Sequence, residues 1–174
     1  MGNPDNYQRI LKSILCLLLL TAIFSCTKED SKGDVVVDSK LLGKLYLEAK
    51  DTVIIDNQNL VLKTELYRDF FPGVQKKNTR LFASIYIVNS DSSVLTDKFE
   101  IKSLYLINKD QIWISAPKLK DDPYLPIWKV SGISTNGPEW ETGIYIDVVL
   151  ALQDLKTAKL NYLVAREQII LRLD

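Results

Sequence analysis

Histidine does not occur once in these 174 residues. Its absence removes the commonest general base and the commonest zinc ligand. Serine–histidine and cysteine–histidine catalysis are therefore excluded within this chain. Cysteine is almost as scarce, with two in all, Cys16 and Cys26. Both lie near the N-terminus, so no disulfide can staple the body of the chain and no thiolate cluster can hold a metal there. The fold has to stand on its hydrophobic core. Charge of one sign is not in excess either: 22 Lys and Arg face 22 Asp and Glu. No basic field exists to attract nucleic acid. An internal repeat, a second domain and convincing helical periodicity beyond the N-terminal region are also missing. The side chains left for chemistry are carboxylates, lysine, tyrosine and serine.

What is present begins with an apolar run, ILCLLLLTAIF, preceded by Arg9 and Lys12 and followed by Ser25, Cys26 and the polar TKEDSKGD. A charged stretch, an apolar stretch of this length and a small residue make a secretory signal peptide. The rival reading, a membrane anchor, needs ~20 apolar residues to cross ~30 Å of hydrocarbon, and this run is shorter. Ordinary secretion, with Cys26 a stray thiol, is the other alternative. Cys16 is one more apolar residue of the leader.

The residues Ile23, Phe24, Ser25 and Cys26 resemble the cleavage site of a bacterial lipoprotein. Phe24 is bulkier than the residue usual there. The resemblance implies cleavage before Cys26 and attachment of lipid to it. Lys28-Glu29-Asp30 resembles the lysine-plus-acid signal that carries Bacteroidota lipoproteins to the cell surface. It implies an outer-membrane lipoprotein facing outward; the alternative is a periplasm-facing lipoprotein with a solvated linker. Residues 1–25 are thus expected to be a signal peptide, 26–34 a lipidated cysteine with a polar tether, and 35–174 one domain. Loss of Asp5, Arg9 and Lys12 with the leader shifts the net charge only to about −1.

Past the tether, apolar residues recur with period two, as in half-buried strands. In residues 44–50, Leu45, Leu47 and Ala49 alternate with Lys44, Tyr46, Glu48 and Lys50. Residues 52–55 are a short β-branched run, residues 60–67, 80–88, 99–107, 111–115, 144–152, 160–165 and 168–173 also read as strands, and 127–133 is a further candidate. Asp56-Asn57-Gln58-Asn59 is a turn by composition, and Asn108-Lys109-Asp110 joins a hairpin. Residues 116–126, with three prolines, read as a surface loop. The pattern predicts an all-β domain, an immunoglobulin-like β-sandwich of seven to nine strands, with Trp113 or Trp128 in its core. A closed barrel is the alternative. Residues 137–174, with the Gly137-Pro138-Glu139-Trp140 turn, resemble the closing strands of immunoglobulin-like domains of Bacteroidota lipoproteins. That family is mostly of unassigned function.

Candidate sites are few. Tyr124, Trp128 and Trp140 lie in or beside predicted loops, where flat aromatic faces stack on sugar rings and Asp121, Asp122 and Glu139 accept hydroxyl hydrogen bonds. Against this, tryptophan is usually buried. Phe70-Phe71-Pro72-Gly73, followed by Lys76 and Lys77, is an apolar step in a basic loop, suited to docking or to folding back on the core. Glu139 and Glu141 share a strand face and form the closest thing to a glycosidase carboxylate pair, though solvated turn charges explain them as well. Asp91, Asp97, Asp121 and Asp122 are loop carboxylates without a calcium-loop pattern.

These residues predict a non-enzymatic, lipid-anchored binding or accessory module of the cell envelope, with a glycan or a protein as ligand and no cofactor, metal or nucleic acid. One alternative is an assembly subunit pairing through sheet edges, with residues 169–173 as a donated strand. Another is a protease-inhibitor-like β-sandwich presenting residues 116–126. A carboxylate glycosidase is the enzymatic rival.

Overall fold

The computed structural model describes residues 34–72 and 79–174. Cys16, Cys26, Lys28, Glu29, Asp30, Gly73, Lys76 and Lys77 lie outside the described residues. The chain forms β1 (Asp34–Val37), α1 (Ser39–Glu48), β2 (Ala49–Lys50), β3 (Thr52–Ile55), β4 (Gln58–Asp69) and β5 (Leu81–Asn89). There follow β6 (Phe99–Asn108), β7 (Gln111–Ser115), β8 (Lys118–Lys120), β9 (Lys129–Ser134), β10 (Tyr145–Asp154) and β11 (Leu160–Leu173). The domain is all-β apart from one short helix. Among the described residues no helix is long and apolar enough to cross a membrane.

The strands form one curled sheet in the order β1-β7-β6-β10-β11-β4-β5-β9-β8, with β2 beside β11 and β3 beside β4. Its two halves face each other and are joined by β11. The first part of β11 pairs antiparallel with β10, and its last four residues pair parallel with β4, from Ile170 opposite Leu66 to Leu173 opposite Asp69. Residues 160–165 and 168–173 are therefore one strand rather than two. The register with β10 slips between Ile146 and Val148, and Glu167 there has φ 52°. The Glu167 N–H donates to Asp147 at 2.9 Å, which fixes this bulge. A bulge bends a strand and sharpens its twist, and this one turns β11 from one half of the sheet into the other.

The inner faces of both halves make the main core. Leu60, Leu62 and Leu66 of β4 meet Leu81, Ala83, Ile85 and Ile87 of β5 and Leu104, Leu106, Val148 and Leu150 across the gap. Trp113 is fully buried there, as expected. A second apolar layer lies outside, where α1 covers Ile107, Ile112, Val149, Ala151, Tyr162 and Val164. Val148 to Leu152 of β10 is buried on both faces, which is why that stretch is continuously apolar instead of alternating.

Helix α1 corrects the period-two reading of residues 44–50. Asp38 caps the helix, its carboxylate accepting from the Lys40 and Leu41 N–H groups at 2.9 and 3.0 Å. Leu41, Leu42 and Leu45 then fall on one helical face, with Leu45 buried and Leu41 and Leu42 packed against the same outer layer. Leu47, read as an inward strand residue, is 85% exposed. The turn between β3 and β4 is shorter than its composition suggests, since Gln58 and Asn59 already belong to β4. Asp56 and Asn57 both have positive φ between β3 and β4, as a two-residue hairpin turn requires. Asn108 pairs with Gln111 around Lys109 and Asp110.

Candidate functional site

The curled sheet does not close, and its open seam is the site. Strand β7 pairs with β6 only from Leu104 opposite Ser115 onward. Past Ser115 the chain leaves β6, crosses at Ala116 and Pro117, and enters β8, which pairs with β9 in the other half. Phe99 to Ser103 of β6 keep β10 on one side and, among the described residues, no strand on the other. Strand β8 ends the strand order, so its outer edge is likewise unpaired. Between these edges lies a cleft of about 480 Å³. Such a volume is within the range of ordinary ligand pockets.

The cleft is mostly apolar. Phe99 and Ile101 form one wall, Pro117 and Leu119 the other, with Val130 and Ile127 beside them and Leu95 from the β5–β6 connection. Leu119 and Ile127 are 59% and 65% exposed and stand together at the cleft with Phe99 and Ile101. Asp97, Glu100 and Lys129 also line it. Asp97 meets Lys98 at 3.4 Å and Glu100 meets Lys102 at 2.7 Å. Lys129 has no carboxylate partner among the described residues.

The wall formed by the β5–β6 connection is held by two buried amides. Gln58 donates to the Val94 carbonyl at 2.6 Å and accepts from the Thr96 N–H and hydroxyl, both at 3.0 Å. Asn89 donates to the Ser93 carbonyl and hydroxyl at 3.1 and 2.7 Å. The Leu95 N–H donates to the Ile127 carbonyl at 2.9 Å, linking this connection to the β8–β9 loop. A buried amide held by several hydrogen bonds fixes its neighbours in one arrangement. The cleft wall is thus preformed. Composition had assigned Gln58 to a turn; it begins β4 instead.

The three aromatic candidates do not form one surface. Trp128 offers its carbonyl to the Asn89 N–H at 3.0 Å, at the far end of β5. Trp140 packs partly against the inner core, and its indole donates to Gln111 at 2.8 Å. Its carbonyl accepts from Arg68, which pairs with Leu81 at the start of β5. The nine residues of β5 separate the two tryptophans by roughly 27 Å. Tyr124 is 94% exposed on the β8–β9 loop, on the Trp128 side. Residues 116–126, read as a loop, contain β8.

The remaining candidates are scattered. Glu139 and Glu141 are exposed and neither lines the cleft. Among the described residues no three acidic side chains gather to hold a metal ion. Asp91 accepts from Asn59, and Asp122 from the Tyr124 N–H. The Phe70 ring lies beneath the Arg68 and Arg172 guanidinium groups at 4.9 and 4.2 Å, so it is folded back, while Phe71 is half exposed. Ile170 exchanges backbone hydrogen bonds with Gly143 and Ile144 while pairing with Leu66, which ties residues 169–173 into their own sheet.

Shifted titrations lie outside the cleft. The Tyr162 hydroxyl beside Lys44 raises that lysine's pKa. Burial and then Asp147 raise Tyr46; burial and then Glu65 raise Tyr86. Each belongs to a surface contact that holds structure. Compared with known proteins, the chain matches no family model, no curated protein and no solved structure.

Proposed function

We propose that this protein is a lipid-tethered, non-enzymatic binding module of the cell envelope, with the open seam as its ligand site. The observation that carries the reading is the apolar cleft with preformed walls and few polar groups. The signal-like leader and Cys26 support the tether, and Lys28-Glu29-Asp30 supports an outward-facing position. The missing histidine argues against catalysis, as do shifted titrations that all lie elsewhere. Of the two ligand classes, the apolar lining favours a protein segment over a glycan. A sugar platform needs clustered exposed rings, and Trp128 and Trp140 stand at opposite ends of β5.

The test is fractionation with protease shaving of intact cells. Wild type is expected in the membrane fraction, digested from outside and carrying lipid on Cys26 by mass of its N-terminal peptide, while Cys26→Ala is expected to carry none. The Lys28-Glu29-Asp30→Ala triple variant is expected to be membrane-bound and protected. Protection of wild type in sealed cells would put the binding module in the periplasm and end the surface reading. A mature wild-type N-terminus with no lipid mass on Cys26 would end the lipid tether.

A further inference from the structure

We propose that the seam takes up an extended peptide strand of a partner protein, laid along β6 where β7 has left it, its apolar side chains facing the cleft and an acidic one set against Lys129. The proposal rests on the cleft being the ligand site and names the ligand's class. Three observations carry it. First, both sides of the cleft are strand edges. Along residues 99–101, alternate N–H and C=O groups point away from β10, up to the register shift that leaves Lys102 unpaired, and β8 offers its own outer edge. A strand continuing the line of β7 past Ser115 would meet these groups and narrow or close the gap in the sheet. Addition of a strand to such an edge uses backbone hydrogen bonds for affinity and alternate side chains for specificity.

Second, the side chains sort by face. Phe99 and Ile101 pack against the inner core, and Leu119 and Pro117 line the cleft opposite. Glu100 and Lys102 alternate with the first pair, Lys118 and Lys120 with Leu119. An occupant matching both edges alternates apolar and polar residues. Third, the charge is selective. The two acids of the lining already meet lysines, which leaves Lys129 to be answered by a carboxylate. A second copy of this chain is a poor occupant through β8, because that strand, Lys-Leu-Lys, carries no carboxylate to answer Lys129.

The experiment uses the full chain in nanodiscs and a fluorescein-labelled hexapeptide alternating valine and glutamate. Binding is read by anisotropy, and edge pairing by amide hydrogen exchange. The peptide is expected to bind and to slow exchange at residues 99–101 and Lys118–Lys120. A peptide of the same sequence, N-methylated at alternate residues, is expected to lose at least ~tenfold in affinity, because its donors are gone. Lys129→Glu is expected to weaken the glutamate peptide and to strengthen its lysine counterpart, most at low salt. Equal binding of the methylated peptide, lost in Leu119→Asp, would overturn strand addition while leaving the cleft as the ligand site. Binding of neither peptide, or binding unchanged by Leu119→Asp, would overturn both. Unchanged binding in Lys129→Glu would overturn the acidic partner.

Discussion

At the scale of single residues, Gly137 is the most closely packed of the described glycines. Its N–H donates to the Leu81 carbonyl at 3.0 Å, and a Cβ built on it would lie 2.9 Å from both Leu81 Cβ and the Leu81 carbonyl oxygen. The same Cβ would stand 3.2 Å from Trp113 Cη2. Trp113 is fully buried, so neither neighbour can yield cheaply. Gly137→Ala is expected to cost about 1–3 kcal/mol by overpacking, read as a lower urea midpoint at unchanged slope. A midpoint equal to wild type would mean that the backbone shifts freely here. The sequence makes Gly137 legible as a turn residue but not as a packing constraint. Nothing in the local pattern announces that Leu81, more than fifty residues earlier, lies against it. Gln58 is hidden for the same reason, since its partners Val94 and Thr96 come to it only through the three-dimensional fold, whereas Asn89 bonds Ser93 four residues along the chain.

At the scale of elements, most strands could be read because burial on one face leaves period two in the sequence. Helix α1 escaped because its apolar stripe spans Leu41, Leu42 and Leu45, while the window from residue 44 shows only accidental alternation. The turn between β10 and β11 shows how local chemistry fixes a register. Asp154 accepts from the Lys156 N–H at 2.8 Å, the Thr157 N–H at 3.3 Å and the Thr157 hydroxyl at 2.8 Å. These bonds, the Thr157 hydroxyl first, hold its carboxyl below the usual carboxylate pKa. A group whose pKa is lowered on folding stabilises the fold above its unfolded pKa of about 3.9. That stabilisation is lost as pH falls through the folded value. Asp154→Asn should therefore be less stable than wild type near neutral pH, and the gap should close on acidification below about pH 4. Denaturant midpoints of both proteins between neutral and acid pH would show it. A gap independent of pH would mean that hydrogen bonding by either side chain, and not the charge, sets the turn.

At the scale of the whole molecule, the seam is where local rules stop informing. Strand content followed from periodicity, and Pro117, which cannot donate to a ladder, marks the end of β7; strand order depends on β8 then pairing with β9, which nothing local encodes. The cleft left only a faint trace: Leu95 and Ile127 are large apolar residues in connections, and Leu119 stands between two lysines in β8. Leu95 packs against the main core, but Leu119 and Ile127 are mostly exposed and belong to neither apolar layer. Leu119 and Ile127 therefore differ in kind from the buried leucines of β4 and β6. Replacing both with aspartate should leave stability within about 0.5 kcal/mol per site, as for exposed positions generally. The same double variant should abolish binding of the valine–glutamate peptide, through loss of apolar surface and repulsion of its carboxylates. Chemical denaturation and anisotropy on one preparation separate the two quantities. A large loss of stability would make the seam part of the core, and intact binding would move the ligand site elsewhere. Only the combination of unchanged folding and lost binding fits a seam left open for a partner.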